Sequence, residues 1–144
     1  MSDQIRMSKQ LTYAGAALAL EAAIAKAHEI GVPQNISIVD AGGNLLAFAR
    51  MDGARFLAQH SSFSKAQTAA SLRMATGELP AQFGVELAFA TGGRSINMKG
   101  GLPMILEGDV LGAVGVSSGA DDEDLAVAQA ACDALLVSLR AAAR

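Results

Sequence analysis

The apolar positions in the first third of the chain follow two different periods. Helical spacing joins Tyr13, Ala16, Ala17, Leu20, Ile24 and Ala27. The Thr12 hydroxyl can cap this helix, and Gly31 with Pro33 indicates its end. Two apolar runs then follow, residues 35–41 and 45–51, on either side of a Gly-Gly-Asn turn. This arrangement predicts a β-hairpin.

A second helix and an irregular segment are predicted after the first hairpin. A second helix is predicted from about Gln59 to Met74, with the apolar stripe Phe63, Ala66, Ala70 and Met74. Its other face is only weakly polar, so we expect cover from the sheet and from a neighbouring subunit. Residues 76–93 contain Pro80 and Gly-containing turns and are predicted to be irregular.

A second hairpin and a last helix complete the predicted fold. Residues 102–106 and 110–116 flank a Glu-Gly-Asp turn, and glycines within the second strand indicate a closely packed neighbour. Four acidic residues, 121–124, precede an apolar stripe, which is typical of a helix N-terminus. We therefore predict a single α+β domain at residues 10–140, with an antiparallel sheet, helices stacked on one face and a flexible segment at residues 1–9.

Composition and charge exclude several classes of protein. The 144 residues are 51% hydrophobic, with alanine the commonest of these residues, which excludes intrinsic disorder. A formal net charge of −3 argues against nucleic acid and anionic membranes as partners, and no apolar run is long enough for a membrane span. The polar residues 1–10 lack the core of a signal peptide, so a cytoplasmic location is expected. The one cysteine, Cys132, falls on the apolar stripe of the last helix and is predicted to be buried.

Residues 115–119 match the G-x-S-x-G pattern of a nucleophile elbow, with Ser117 as the nucleophile. The predicted antiparallel sheet and the position of both histidines before the serine favour a structural turn instead. Backbone amides at the start of the following helix could still hold a carboxylate.

Three other side chains are candidates for chemistry. His60, at the start of the second helix, could cap it, titrate near neutral pH or bind a metal. His28 lies at the edge of the first apolar stripe, a position typical of a partly solvated residue. Lys65 stands among small residues and is predicted to be partly buried, with Asp40 or Asp52 as its partner.

Cations beside glycines are candidates for anion binding. Arg94 follows two glycines, and Lys99 precedes Gly100 and Gly101. Such turns can form an amide nest for an anionic group, although glycine also simply permits a positive φ. Arg50 closes the first hairpin and could form a surface ion pair or hold a substrate.

Taken together, these segments resemble the GlcG/HbpS family, the haem-degrading-type domain. The matching runs are Gly31–Pro33, Ile38–Leu45, Phe48–Gly53, Ser64–Ala66, Thr68–Ala70, Gly100–Pro103, Gly112–Ser117 and Asp124. The resemblance covers about residues 10 to 137 and implies a profilin-like α+β domain. It also implies a compact homo-oligomer, often an octamer, and an association with haem or corrinoids, as in the C-terminal part of PduO-type proteins. The chain departs from the family at Ser117–Ala120 and at Phe83–Ala90, both beside the expected pocket.

Three functional hypotheses follow. As a binding protein, the chain would hold haem or a related anionic tetrapyrrole near a subunit interface. The ligand would contact Arg94, Lys99, Gly100, Gly101 and Arg50, with His60 or His28 on the iron.

As an enzyme without a cofactor, the chain would be a lyase, isomerase or hydrolase of a small oxygenated acid or ketone. Lys65 and Asp52 would serve as acid and base, Arg94 as a carboxylate clamp and Ser117 as an oxyanion donor. An accessory oligomer without a ligand is a third alternative.

Overall fold

The computed structural model describes residues 2–143, which form four α-helices and four β-strands. In chain order these are α1 (Tyr13–Ile30), β1 (Asn35–Asp40), β2 (Leu45–Arg50), α2 (Ala58–Leu72), α3 (Ala81–Ala90), β3 (Gly101–Leu106), β4 (Asp109–Ser117) and α4 (Asp121–Ala142). Both predicted hairpins are confirmed, and the predicted α+β class is confirmed.

The strands form one antiparallel sheet in the order β2-β1-β4-β3. The two central strands pair with Ser37 opposite Gly115 and Ile38 opposite Val114. Residues 35–39 of β1 are all buried, although successive side chains point to opposite faces of the sheet. A strand buried on both faces requires cover on both sides.

Helices lie on both faces of the sheet, so the predicted stacking on one face is wrong. Ile38 and Val114 belong to the main hydrophobic core, which α1 and α4 cover. Val39 and Ala113 pack instead with alanines of α2 in a second, smaller cluster. Consecutive residues of one strand thus enter two different cores, which places α2 opposite α1 and α4.

The first helix begins and ends where its sequence predicts. The Thr12 hydroxyl accepts a hydrogen bond of 3.1 Å from the Gly15 amide, and Gly31 ends the helix with a φ of 70°. Four alanines, at positions 16, 19, 23 and 27, are its buried residues. Tyr13 is 68% exposed and falls outside the buried stripe, contrary to the predicted pattern. The buried alanines let α1 approach α4 closely.

Residues 81–90 form helix α3, so the prediction of an irregular segment there is wrong. Pro80 stands at the N-cap, and Gly84 is the buried residue of the helix because Asn97 packs against it. Phe83, Val85 and Phe89 are exposed, Phe89 by 84%. A helix that is apolar but mostly exposed lacks the pattern of a core helix, which explains the error.

By length and composition alone, α4 is the one helix within residues 2–143 that could cross a membrane. Its buried residues, which include Val127, Ala131 and Leu135, belong to the main core. This one-sided packing is typical of an amphipathic helix on the outside of a folded domain. The predicted burial of Cys132 on this stripe is confirmed.

Candidate functional site

Lys65 forms a buried ion pair with Asp124. Lys65 is 1% exposed, and its ammonium group donates to Asp124 Oδ2 at 3.0 Å and to the Val116 carbonyl at 2.8 Å. The predicted partners, Asp40 and Asp52, are therefore wrong. Asp40 Oδ1 instead accepts amide hydrogen bonds within its own hairpin turn. Lys65 thus joins α2 to β4 and α4 beneath the surface.

Asp124 completes this buried cluster. Burial raises the pKa of its carboxyl above the ordinary value of 3.8, while the charge of Lys65 and its hydrogen bond act in the opposite direction. Its other oxygen accepts from the Gly119 amide at 2.9 Å, and Glu123 accepts from the Ala120 amide at 2.8 Å. Two amides at the start of α4 are therefore already bonded to the protein's own carboxylates.

Ser117 lies at the end of β4, beneath α2. It is 6% exposed, and its hydroxyl oxygen is 2.7 Å from that of Ser61. Ser118 adopts a φ of 118° and accepts a hydrogen bond from the Arg55 amide at 2.9 Å. The turn therefore anchors the segment before α2, and the catalytic role of Ser117 stays a prediction.

The glycines at 100 and 101 are buried beside the ion pair. A Cβ on Gly100 would lie 2.5 Å from the Val116 carbonyl oxygen and 3.0 Å from Lys65 Nζ. A Cβ on Gly101 would lie 2.5 Å from the Lys65 carbonyl oxygen. Glycine is required at both positions because the backbone of β4 and α2 approaches them so closely. Lys99, beside them in the chain, is exposed. Ligand binding by these three residues stays a prediction.

His60 and Arg94 lie together in an open cleft between α2 and β2, which we call the α2–β2 cleft. Its volume is about 800 Å³. Apolar walls come from Leu45 and Phe48 of the edge strand and from Phe63, one turn along α2 from His60. Ion pairs within residues 2–143 involve Lys9, Lys26 and Lys65, so Arg94 is not paired with a carboxylate.

His28, Arg50 and Asp52 line a different cleft of about 490 Å³, between the end of α1 and the end of β2. The structure therefore does not bring Asp52 together with Lys65, nor His28 together with His60. Among residues 2–143, no three His, Cys, Asp or Glu side chains converge on a common point that could hold a metal ion.

Burial raises the pKa of the Cys132 thiol to about 12. At neutral pH this thiol is protonated and enclosed between α4 and the sheet. It therefore lacks the thiolate form that a nucleophile or metal ligand needs.

Sequence reasoning missed two features of the site. The partner of Lys65 lies 59 positions away in the chain, and only the tertiary fold brings it near. The second missed feature is the aromatic wall of the cleft. It has a local signal in the sequence, because the hairpin turn brings Phe48 opposite Ser37. Residues paired in this way share a face, and the Ser37 hydroxyl oxygen is 2.8 Å from that of Ser62 on α2.

An antiparallel sheet covered by helices on both faces, with clefts of ligand size beside α2, defines a small α+β domain. The chain belongs to the HbpS-like family, because the family model described as haem degrading protein HbpS-like matches residues 11–133. This match confirms the resemblance seen in the sequence motifs.

Several known proteins are similar to this chain. An uncharacterized 15.0 kDa protein of Citrobacter freundii, from the dhaT-dhaS intergenic region, is 41% identical over 130 residues, covering 85% of this chain and 90% of that protein. The crystal structure of Klebsiella pneumoniae ORFY has a TM-score of 0.89 at 36% identity, covering 94% and 97% of the two chains. The crystal structure of a PduOC:haem complex has a TM-score of 0.80 at 29% identity, covering 87% and 94%. The chain spans 36% of the length of the corrinoid adenosyltransferase PduO of Citrobacter freundii.

Proposed function

We propose that this protein binds haem or a related anionic tetrapyrrole in the α2–β2 cleft. The observation that carries the proposal is that an exposed imidazole, an arginine without an ion-pair partner and apolar walls line one cleft. The likeness to PduOC, which has been crystallised with haem, supports the same ligand class.

The residues that line the α2–β2 cleft have the chemistry that haem binding requires. The His60 imidazole can serve as an axial ligand to iron, and Arg94 can pair with a carboxylate at the ligand's edge. Although only 4% of the chain is aromatic, Phe48 and Phe63 both line this cleft. A volume of about 800 Å³ falls within the range of small-molecule sites.

The protein's part in this function is binding and orientation. Bound haem supplies a redox-active iron, and the protein would tune it through the axial ligand and the polarity around it. His60 would fix the position of the ligand, while the apolar side chains would exclude water from its faces. The open side of the cleft leaves room for a neighbouring subunit to complete it.

His60→Ala should weaken haem binding by more than about tenfold, equivalent to about 1.4 kcal/mol of lost interaction. The expected reason is loss of the axial nitrogen. Haem titration followed at the Soret band measures both the affinity and the ligation state. His28→Ala is the matched control, because His28 lies in the other cleft. An unchanged, saturable spectrum for His60→Ala would exclude His60 as the axial ligand.

We further propose that the protein forms a homo-oligomer, with the octamer that the family resemblance implies as the expected size. The exposed aromatic side chains of α3 support this, because apolar surface of this kind is typical of interfaces. Phe89→Glu should reduce the assembled mass measured by sedimentation velocity, whereas Phe89→Leu should preserve it. A monodisperse monomer of the unmodified chain at micromolar concentration would contradict the proposal.

The enzyme hypothesis has less geometric support. Its acid–base pair, Lys65 and Asp52, is not assembled, since Lys65 is bonded to Asp124 and Val116. Arg94 stays available as a carboxylate clamp in either hypothesis.

A further inference from the structure

A second pocket lies between α2 and α3, and it is lined by Arg94 but not by His60. Its volume is about 600 Å³, and we call it the α2–α3 pocket. It shares Gly43, Gln67 and Arg94 with the α2–β2 cleft, and the remaining lining residues are its own. Its apolar surface comes from Ala70, Leu72, Leu87 and Ala90.

Some polar groups of this pocket already form hydrogen bonds within the protein, and others are available to bind a ligand. The Thr91 hydroxyl donates to the Leu87 carbonyl at 2.8 Å and accepts from the Ser95 amide at 2.9 Å. Gln67 Nε2 donates to the Gly43 carbonyl at 3.1 Å, which leaves its side-chain oxygen as an acceptor.

The free groups are the Arg94 guanidinium and the hydroxyls of Ser71 and Ser95, which form no side-chain hydrogen bond within residues 2–143. One cation and two hydroxyls beside an aliphatic surface are complementary to a carboxylate with a short hydrocarbon chain. A planar guanidinium binds a carboxylate through two parallel hydrogen bonds, which a neutral amide does not match. A ligand of this kind also needs an apolar wall for its methylene groups, and Leu72 and Leu87 supply one.

We propose that the α2–α3 pocket binds a small aliphatic carboxylate through Arg94. The carboxylate contacts the guanidinium and the Ser95 hydroxyl, and the hydrocarbon chain packs against α3. This site is separate from the tetrapyrrole site, but both depend on one arginine. Occupation of the pocket therefore withdraws Arg94 from the α2–β2 cleft, and the two ligands compete for it.

The test uses the full chain without haem, with butyrate as the probe and butanamide as its uncharged counterpart. Saturation-transfer-difference NMR detects binding and gives the affinity by titration. Butyrate should show saturable binding at millimolar concentration, and butanamide should bind at least about tenfold more weakly because it lacks the charge. Equal binding of the two probes, or no saturable binding of butyrate, would overturn the proposal.

Two variants test the location. Arg94→Gln should weaken butyrate binding by about tenfold or more. The matched control is Arg73→Gln, an exposed arginine that does not line the pocket and donates to the Gly108 carbonyl. Ala90→Phe should abolish binding, because Ala90 is exposed at the end of α3 and a phenyl ring there fills the pocket. Butyrate binding that survives either Arg94→Gln or Ala90→Phe would place the site elsewhere.

Since butyrate binding is measured without haem, its outcome is independent of the tetrapyrrole proposal. If both ligands bind, butyrate should raise the apparent haem dissociation constant over the concentration range in which butyrate fills its own pocket. Simultaneous binding with no mutual effect would overturn the shared use of Arg94.

Discussion

Lys65→Met should lower the free energy of unfolding by about 3–5 kcal/mol, because it leaves one member of a buried ion pair without its partner. Methionine keeps an unbranched, apolar side chain in place of the lysine stem but removes the ammonium group. Asp124, which is 2% exposed, then carries an uncompensated charge in the interior, and the Val116 carbonyl loses its donor. Equilibrium unfolding in urea measures the loss as a lower midpoint.

The stability lost in Lys65→Met should become smaller as the pH falls. The charge of Lys65 lowers the pKa of Asp124, so its removal raises that pKa further above 3.8. A carboxyl with a raised pKa in the folded state favours folding below its unfolded pKa, and this contribution is lost as the pH rises through the folded value. The variant is therefore expected to be closest to the parent in stability near pH 4 and furthest from it near neutrality.

Lys26→Met is the matched control. Its ammonium group pairs with Glu29 at the protein surface, 3.3 Å away, and the expected cost is about 0–1 kcal/mol with little change over the same pH range. Adding Asp124→Asn to Lys65→Met should restore part of the lost stability, because the double variant buries no unpaired charge. Equal effects of the Lys65 and Lys26 substitutions would show that the buried pair contributes no more than a surface pair.

Much of the fold could be predicted from local patterns. Thr12 and Gly31 mark the ends of α1, and the two hairpin turns pair neighbouring strands. The placement of the helices on the two faces of the sheet could not be predicted in the same way. An apolar stripe shows that one side of a helix is buried, but it does not show which face of the sheet covers that side. The sequence of β1 does not indicate cover on both faces, because the polar residues Asn35 and Ser37 alternate with apolar ones and yet are buried as completely as Ile36 and Ile38.

The candidate site was less predictable, because its key contacts join distant parts of the chain. The small neighbours of Lys65 predict a buried cation, but they do not indicate its partner, and the prediction of Asp40 or Asp52 is wrong. The actual partner is in the first turn of α4, where acidic residues have a sufficient local explanation in the helix dipole. The local explanation for these acidic residues therefore does not reveal the tertiary role of Asp124. The same holds for Arg94, because helix α3, which forms one wall of its second pocket, is not predicted from the sequence.

Gly115→Ala should cost at least about 3 kcal/mol, at the upper end of overpacking penalties, or prevent folding. A Cβ at this position would collide with the Ser62 carbonyl oxygen and lie 2.5 Å from the Ala66 amide nitrogen. Both obstacles are backbone atoms of α2, so neither can rotate away as a side chain would. Relief requires the whole helix to move off the sheet, which would also separate Lys65 from Asp124 and widen the cleft at His60.

The comparison with Gly108→Ala separates this steric effect from backbone strain. Gly108 has a φ of 85° and open space around its Cα, so alanine there should cost only about 1 kcal/mol, from conformation alone. Thermal and urea unfolding of both variants gives the contrast directly. Where Gly115→Ala still folds, the displaced helix should also weaken haem binding at the α2–β2 cleft, whereas Gly108→Ala should not. Equal stability losses in the two variants would mean that α2 has room to move away from β4, and that contact with Gly115 does not fix its distance from the sheet.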